Sequence, residues 1–508
     1  MLALTNILGS VEPLTAFVVL FFSWYGMSAV YSWYRLRHVP GPFLASFSYL
    51  PRVWWYLTGT QLQYYISTGK KYGSLIRIGP SDLLTDDPEV LKRLSGAKSK
   101  YWKSEWYMGV RFNPYHTTMF MIQDPIRHDK IKAQLGPGYS GRDNPSVESD
   151  IDIQINSFND LIRRKYITTS NTAGYRPLNL GRAVSFFVLD VISKLSLGQE
   201  FGCLKTDSDR HKISETFDEA IPFVAFTSEL PWARKIIYST LWLKLFGPKE
   251  TDSRGMGQLM NLTNSAVREY FKSDGDRDEK RIVGSWVRHG LTQVQCEVEA
   301  LFMFVSGSDT TASVIRITIL YILSTPRVYQ RLKDEIASAV QEGRASRPIT
   351  HAEARNLPYL QGIVYEGLRI RPVATSPLPK VVPRGGDTIN GKFIPEGTAI
   401  GMNLAPLLRS KAVFGEDADV FRPERYLEVD EKTRIEMQRH IEMTFGYGRW
   451  MCAGKPIAMM ELNKIFFELF RYFDFQLVDP GKPMITFSYG FHIDRGLLVR
   501  VTESTTGS

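Results

Sequence analysis

The run from Phe445 to Phe470 constrains this chain more than any other stretch, because glycines surround a single cysteine and an apolar helical repeat follows it directly. The glycines allow the tight backbone conformations that bring a thiol close to a ligand, and they are Gly446, Gly448 and Gly454. Free N–H groups at the start of the following helix favour a thiolate at Cys452. The sequence therefore predicts that Cys452 is an anionic metal ligand or a nucleophile, and the alternative is a small core residue.

A second constraint is a polar cluster inside an apolar repeat. Apolar residues recur at helical spacing from Thr292 to Leu323, which predicts one long and mostly buried helix. Its centre, Ser306 to Thr311, is a run of weak helix formers whose side chains offer the backbone competing hydrogen bonds. Burying such groups costs free energy unless they do chemistry or hold water. We therefore predict a functional cluster there, and the alternative is a kinked helix with back-bonded hydroxyls.

The spacing of Phe445, Gly448, Cys452 and Gly454 resembles the haem-ligand signature of the cytochrome P450 superfamily, and the residues after the cysteine look most like its fungal microsomal, pisatin-demethylase-like group. In that superfamily the cysteine is the axial thiolate of the haem iron, and its electron donation favours O–O cleavage. The resemblance implies the cytochrome P450 fold, which is mainly α with small β regions. It also implies a haem b cofactor.

One position departs from the family pattern. The residue two before the cysteine, where the family usually has an arginine that binds a haem propionate, is Trp450, with Arg449 beside it. The indole N–H can donate one hydrogen bond, but it carries no charge. The resemblance therefore implies that other residues supply the positive charge that binds the propionate. Its candidates are His128, Lys132 and Lys380. The alternative for His128 and Lys132 is a solvated basic face.

The resemblance also implies roles for residues in two predicted helices. Above the haem, Gly307 would leave room for dioxygen, while Asp309 and Thr310 would relay protons to it. A buried structural network would hold the cysteine loop in place. Its members are Glu366 and Arg369, three positions apart on one face of a helix predicted over 358–370, and Arg425.

Residues 14–34 form an uncharged apolar run about as long as the ~20 residues needed to cross a bilayer. Arg35 and Arg37 follow it, whereas Glu12 is the one charged residue before it, so we expect the later chain to face the cytoplasm from the endoplasmic reticulum membrane. We predict residues 1–13 as a luminal N-terminus, 14–34 as a transmembrane anchor, 35–50 as a proline-rich hinge and 51–508 as the haem-thiolate catalytic domain. A cleavable signal peptide is the alternative.

Composition argues against several other classes. The 508 residues carry a formal net charge of +9, which weakly favours an acidic partner or an anionic membrane. The basic runs lack the interleaved aromatics of a nucleic-acid groove, so no nucleic acid is expected. Cys203, Cys296 and Cys452 lie far apart without a CxxC pair, which indicates neither a disulfide framework nor a zinc site. The run from Gly136 to Gly141 formally matches a dinucleotide fingerprint, but it follows no strand and is rejected.

Other stretches carry weaker signals. Alternating residues around positions 79–80 and 390–391, and again over 477–501, predict short hairpins. The aromatic loop over 101–121 is predicted to line an apolar cavity, with a core-covering loop as the alternative. Residues 223–246 mix aromatic residues with lysines, and the family has a substrate-entry lid here, so we interpret them as a membrane-skimming lid, with a buried helix pair as the alternative.

The predicted function is a haem-thiolate monooxygenase that oxidises an apolar small molecule, a fungal secondary metabolite, with O2 and electrons from a separate NADPH-cytochrome P450 reductase. A basic patch near the cysteine is predicted to bind the acidic surface of that reductase, and its members are Lys130, Arg439, Arg449, Lys455 and Lys464. One alternative is a thiolate-haem isomerase or dehydratase that needs no O2. The other is a non-catalytic haem-binding sensor.

Overall fold

The chain folds mainly into α-helices. The structure, a computed structural model, describes residues 13–169, 176–272 and 281–504. Within them the α-helices are α1 Pro13–Leu36, α2 Leu50–Thr58, α3 Gln61–Tyr72, α4 Pro88–Ser95, α5 Pro125–Tyr139, α6 Val147–Lys165, α7 Leu180–Leu197, α8 Cys203–Thr206, α9 Ile213–Glu229, α10 Pro231–Ile237, α11 Thr240–Phe246, α12 Gly255–Lys272, α13 Ile282–Arg288, α14 Gln293–Leu323, α15 Pro326–Gln341, α16 His351–Arg355, α17 Pro358–Ile370, α18 Leu404–Leu407, α19 Lys411–Phe414, α20 Glu431–Glu442 and α21 Lys455–Tyr472. The predicted fold class is confirmed.

The strands of the described residues form four small sheets. They are β1 Leu75–Gly79, β2 Asp82–Thr85, β3 Trp102–Lys103, β4 Leu178–Asn179, β5 Lys380–Val381, β6 Asp387–Ile389, β7 Lys392–Ile394, β8 Ala399–Met402, β9 Phe473–Leu477, β10 Met484–Ser488, β11 His492–Gly496 and β12 Leu498–Glu503. The largest sheet has the order β1-β2-β8-β5-β3, in which β2 and β8 are parallel. A second has the order β4-β12-β9, and β6-β7 and β10-β11 are separate hairpins.

Helix α14 lies at the centre of the fold. Thr292 caps it, because its hydroxyl accepts a bond from the backbone N–H of Gln295 while the Gln295 side chain accepts one from the backbone N–H of Thr292. Most of its side chains are buried, and it packs against α7, α12, α17 and α21. The long helix predicted between Thr292 and Leu323 is therefore confirmed.

Helix α1 has the properties of the predicted membrane anchor. Among the described helices, it alone is long and apolar enough to cross a membrane, over Leu14–Leu36. Nearly all of its side chains are exposed, so its apolar surface is not buried against the rest of the protein. A bilayer is the environment in which such a surface is stable.

A buried arginine ties the end of α1 to the first sheet. Arg77 in β1 is fully buried and donates to the carbonyls of Ser32 at 2.7 Å and Trp33 at 3.3 Å, in the last turn of α1. It also donates to the carbonyl of Ser46 at 3.0 Å, while its backbone N–H donates to the carbonyl of Pro40 at 2.7 Å. Carbonyls at the end of a helix have no partner within the helix. These bonds fix the path of the chain between the anchor and the sheet.

Most of the weaker local predictions agree with the structure. The predicted hairpins correspond to β1-β2, to β6-β7 with Asn390 and Gly391 at positive φ, and to β10-β11. The glycine run at 136–141 begins inside α5, as expected for a segment that is not a dinucleotide loop. Residues 1–12 of the predicted luminal segment lie outside the described residues.

Candidate active site

The loop before α21 carries Cys452 and is closed by a short hydrogen bond. The backbone N–H of Cys452 donates to the carbonyl of Phe445 at 2.6 Å. Gly446 and Gly448 have φ values of +81° and +55°, which residues with a Cβ rarely adopt. A Cβ at Gly448 would also lie 2.4 Å from the carbonyl oxygen of Ser95 at the end of α4. Both glycines are therefore needed for the shape of the loop.

Gly454 does not have the tight backbone conformation that the sequence predicted. Its φ of −80° is in the ordinary helical range, so no special backbone conformation requires a glycine there. A Cβ at this position would have the Cys452 Sγ as its nearest neighbour, at 3.8 Å, which is an ordinary van der Waals distance. The prediction of a tight conformation at Gly454 was therefore wrong.

The Cys452 thiol is exposed within a recess that protein surrounds. Burial raises its pKa, and the backbone N–H groups of Gly454 and Lys455 and the charges of Lys132 and Lys455 oppose that rise. The protein alone therefore favours the neutral thiol, contrary to the predicted thiolate, because desolvation outweighs the helix terminus. A bound metal ion deprotonates a coordinating thiol, so iron would supply the remaining stabilisation.

Trp450 lies among basic side chains. The ring of His128 on α5 lies 4.4 Å from the indole ring, centroid to centroid. Lys132, one turn later, donates to the two backbone carbonyls on either side of Trp450, at 2.7 Å each. Arg449 pairs instead with Asp129, at 2.9 Å. The structure therefore brings His128 and Lys132 to the cysteine loop and directs Arg449 toward α5.

Two buried lysines also contact Trp450, and the sequence predicted one of them. The Nζ of Lys380 in β5 lies 5.5 Å from the indole centroid, and the Nζ of Lys103 in β3 lies 4.6 Å from it. Burial lowers the pKa of both, that of Lys380 to about 7, and it lowers the pKa of His128 to about 3. Sequence reasoning missed Lys103. The available signal was the presence of a cation inside the aromatic loop over 101–121.

The polar centre of α14 does not interrupt the helix. The hydroxyl of Ser308 donates to the carbonyl of Phe304 at 2.6 Å, and that of Thr310 donates to the carbonyl of Ser306 at 2.7 Å. Such back-bonds satisfy hydroxyls inside a helix without breaking the backbone ladder. The back-bonded hydroxyls of the alternative interpretation are thus present, while the helix itself is continuous from Gln293 to Leu323.

Asp309 lies on the wall of a polar cavity of about 300 Å³ that extends to the exposed Arg495. Arg316, two turns later on α14, approaches the carboxylate with its Nη1 3.5 Å from Oδ1. Asp218 and Asp494 line the same cavity. Burial raises the pKa of Asp309 to about 6, the nearby Asp494 and Asp218 add to that rise, and Arg316 opposes it. Asp309 can therefore gain and lose a proton near neutral pH.

Gly307 allows two helices to approach closely. A Cβ at this position would lie 3.3 Å from the Cδ1 of Ile192 on α7. Real Cβ contacts are rarely that short, so the packing of α14 on α7 is by itself a reason for this glycine. Its predicted role in leaving room for dioxygen stays a prediction.

A buried carboxyl group links α14 to the helix that follows the cysteine. Glu461 on α21 is 2% exposed, and α21 packs against α14, which carries Thr311, the neighbour of Thr310. Burial raises the pKa of Glu461 to about 8, and the side chain of Thr311 opposes that rise. The buried acid therefore lies between the predicted proton-relay helix and the helix that begins beside Cys452. Sequence reasoning missed Glu461, although an acid within an apolar helical repeat was a visible signal.

Glu366, Arg369 and Arg425 lie together, as the resemblance implied. Arg369 donates to both carboxylate oxygens of Glu366, at 2.7 and 2.8 Å, and the Nε of Arg425 lies 3.2 Å from Oε1. The hydroxyl of Tyr426 and the backbone N–H of Arg422 donate to the same carboxylate at 2.8 Å each. All three charged side chains are at most 1% exposed. The network is therefore buried and saturated with donors.

The predicted basic patch loses one member. Lys464 is fully buried and pairs with Glu148 at 2.8 Å and Asp152 at 2.9 Å, so it cannot contact a partner protein. Lys130 and Arg439 are exposed and form no ion pair with a described residue. The remaining two members form local ion pairs, Lys455 with Glu442 and Arg449 with Asp129.

Comparison with known proteins settles the family. The sequence model described as Cytochrome P450 matches residues 45–497, which include the polar centre of α14 and the Cys452 loop. The chain belongs to the cytochrome P450 family.

Its curated fungal relatives are similar over nearly their whole length. The cytochrome P450 monooxygenase aba1 of Botryotinia fuckeliana is 46% identical over 470 residues, which are 92% of each chain. ABA1 of Pyricularia oryzae is 43% identical over 482 residues, 94% of each chain. The monooxygenase abl1 of Leptosphaeria maculans is 39% identical over 492 residues, 94% of this chain and 86% of the relative. This P450 is a monooxygenase of the fungal type.

The residues present fit the haem that membership of the P450 family implies. The Cys452 sulfur faces a recess, and the Nε1 of Trp450 is buried without a hydrogen-bond partner among the described residues. A buried donor without a partner beside buried lysines suits an anionic group of a ligand. Cys452 would hold the iron of the haem, which supplies dioxygen activation when bound. His128, Lys132 and Lys380 would hold its propionates.

Replacing Glu366 by Gln should lower the free energy of unfolding by about 3 to 5 kcal/mol, because Arg369 would be left buried without its counter-charge and Arg425 would keep only Asp417. Urea denaturation of the full chain in detergent, followed by circular dichroism, measures this. The matched control is Glu342→Gln, since Glu342 is exposed and should change the midpoint little. Equal midpoints for the two variants would contradict the structural role of the network.

Proposed function

We propose that this P450 inserts one oxygen atom of O2 into a C–H bond of an apolar small molecule, a fungal secondary metabolite. Two electrons come from NADPH through a separate NADPH-cytochrome P450 reductase, and two protons convert the second oxygen atom into water. The catalytic domain works at the cytoplasmic face of the endoplasmic reticulum membrane, to which α1 anchors it.

The observation that carries the proposal is the packing of the helix that follows Cys452 against the helix that carries Asp309 and Thr310. Helix α21 begins beside the cysteine and packs on α14, so the cysteine loop and the proton-relay residues belong to one packed unit. Asp309 titrates near pH 6 on the wall of a polar cavity that extends to the surface. Reduction of dioxygen consumes protons, whereas an isomerase, a dehydratase or a sensor that does not use O2 needs no such supply.

Aromatic side chains support an apolar substrate. Phe302 on α14 stacks on Phe120 with centroids 5.2 Å apart and contacts Phe112 at 6.4 Å. The predicted cavity-lining loop over 101–121 thus supplies apolar walls next to α14, and apolar walls favour apolar ligands.

Exposed apolar residues support attachment to the membrane beyond α1. Helices α10 and α11, within the predicted lid, expose large apolar side chains, and so does the segment after the anchor. These residues are Trp232, Ile236, Leu241, Leu245 and Phe246 in the lid, and Phe43, Leu44, Leu50, Trp54 and Leu57 near the anchor. Together with lysines, such side chains suit the headgroup region of a bilayer. We infer that an apolar substrate enters from the membrane beside residues 223–246.

Replacing Cys452 by Ser should remove the red-shifted Soret band that thiolate ligation gives to the reduced protein under carbon monoxide. NADPH-dependent O2 consumption should fall to the level of reductase alone. Cys296→Ala is the matched control. Cys296 is buried in the first turn of α14, so its replacement should leave the spectrum unchanged. A thiolate-type spectrum in Cys452→Ser would contradict the ligand assignment. A wild-type protein that has this spectrum but consumes no O2 with NADPH and reductase would instead be an isomerase, a dehydratase or a sensor.

Replacing Asp309 by Asn should slow NADPH-driven product formation by about 10²- to 10⁴-fold, the usual contribution of a general acid. In the wild-type protein the rate should fall as pH rises through about 6, because Asp309, which Arg316, Asp494 and Asp218 face, loses its proton there. The variant should show no such step. Asp160→Asn, an exposed carboxylate on α6, is the control and should keep the wild-type profile. A pH step that persists in Asp309→Asn would assign proton delivery to another group.

Reversing the charges of Lys130 and Arg439 should slow haem reduction by the reductase about tenfold at low ionic strength, and less at high salt. Stopped-flow reduction under carbon monoxide measures the rate, and the haem content should stay unchanged. The control reverses Lys205 and Lys482, which are equally exposed and remote in sequence from the cysteine loop. Equal rates for both double variants would place the reductase elsewhere on the surface.

A further inference from the structure

Lys103 and Lys380 occupy directly opposite positions of one small sheet. β3 and β5 are antiparallel, and their register pairs Lys103 with Lys380. Like charges directly opposite each other across two strands are destabilising. Both side chains are also buried, at 4% and 5% exposure, so solvent does not screen the repulsion. Two buried like charges destabilise the folded protein unless an anion lies close to them.

The described residues supply neither lysine with an anionic partner. The Nζ of Lys103 donates to the carbonyls of Phe120 at 2.7 Å and Met119 at 3.3 Å. The Nζ of Lys380 donates to the hydroxyl of Tyr107 at 2.5 Å and to the carbonyl of Leu378 at 3.0 Å. An ammonium group has three N–H donors, so each lysine keeps one donor unused.

Glu299 is the acid whose charge acts on Lys103, and it does not neutralise the pair. Its carboxylate accepts the backbone N–H of Met119, and burial raises its pKa to about 7. Burial lowers the pKa of Lys103 and of Lys380, which indicates that positive charge is poorly compensated at this place. Removing a cation from water is favourable when an anion meets it.

The indole of Trp450 completes the site. Both ammonium groups lie against its face, and its Nε1 is a buried donor without a partner among the described residues. These three residues line a cavity of about 60 Å³ with Ser95 and Tyr107. One enclosed water needs ~10 to 15 Å³, so the cavity has room for a small polar group such as a carboxylate. Three side chains with unused N–H donors therefore line one small cavity beside the Cys452 loop.

We propose that Lys103, together with Lys380 and the Nε1–H of Trp450, binds one haem propionate in this cavity. In the family motif, an arginine at the position of Trp450 carries the positive charge. Here Lys103 on β3 supplies that charge, and its ammonium group lies over the indole that replaces the arginine. This inference rests on the proposed haem-thiolate function and adds Lys103 to it as a cofactor-binding residue. A propionate would give both lysines their missing counter-charge.

The test is the release of haem from the full-length holoenzyme. Lys103→Met should speed haem transfer to excess apomyoglobin about 10- to 100-fold, the worth of one hydrogen bond to a charged group. It should also lower the reduction potential of the iron, because loss of a nearby cation favours the ferric form. The matched control is Lys100→Met, since Lys100 is exposed three residues earlier and the chemical change is the same. Transfer from Lys103→Met within about twofold of this control would overturn the proposal.

Two further arms separate propionate binding from general destabilisation. The apoproteins left after transfer are reloaded with haem dimethyl ester, which lacks both carboxylates, and the ester should leave Lys103→Met and wild type at equal rates. Equal acceleration for haem and ester would overturn the proposal. The double variant Lys103→Met, Trp450→Arg should regain slow haem release, because the arginine returns the charge to the loop. If Lys103→Met does not retain haem during purification, recovery of haem in the double variant supports the proposal, and its loss in both overturns it.

Failure of the proposed function has a different signature. It would show as a wild-type protein without the thiolate absorption under carbon monoxide, or without O2 consumption in the presence of NADPH and reductase. The source of the positive charge that binds the propionate is identified from the rates of haem and ester release, which do not depend on turnover.

Discussion

A thiolate at Cys452 would have to be stabilised at a place where burial favours the neutral thiol. The protein contributes backbone N–H groups of Gly454 and Lys455 and the charge of Lys132, all of which lower the pKa of the thiol. They do not outweigh desolvation, so an iron bound to the sulfur would complete the stabilisation. The turn at Gly446, the start of α21 and Lys132 on α5 all lie at the loop that carries this sulfur atom.

Two clusters of buried charged side chains differ in whether their charges and hydrogen bonds find partners within the protein. The carboxylate of Glu366 receives bonds from Arg369, Arg425, Tyr426 and the backbone of Arg422, which leaves no capacity for a ligand. Such a network stabilises the fold, because removing one member strands the others. Among the described residues, the hydrogen bonds of the lysine pair of β3 and β5 all go to neutral acceptors. A complete network indicates a structural role, and an incomplete one indicates a binding site.

Local patterns in the chain were sufficient to predict the elements that carry the chemistry. The apolar repeat predicted α14, and the spacing of Glu366 and Arg369 predicted that they share one face of α17. The same reasoning placed Lys464 on a surface patch, whereas the structure buries it against carboxylates of α6. A repeat of charged and apolar residues describes one helix, and it does not say which distant helix supplies a partner to a lysine.

By itself, the sequence determined the cysteine motif, the long helix with its polar centre, the apolar first helix and the membership of a family, because each depends on residues close together in the chain. The tertiary structure decided that Lys103 faces Lys380 across two short strands, that Glu461 reaches Thr311, and that the thiol pKa rises. These facts depend on contacts between segments far apart in sequence and on how much water the fold excludes. Periodicity and spacing contain no information about either.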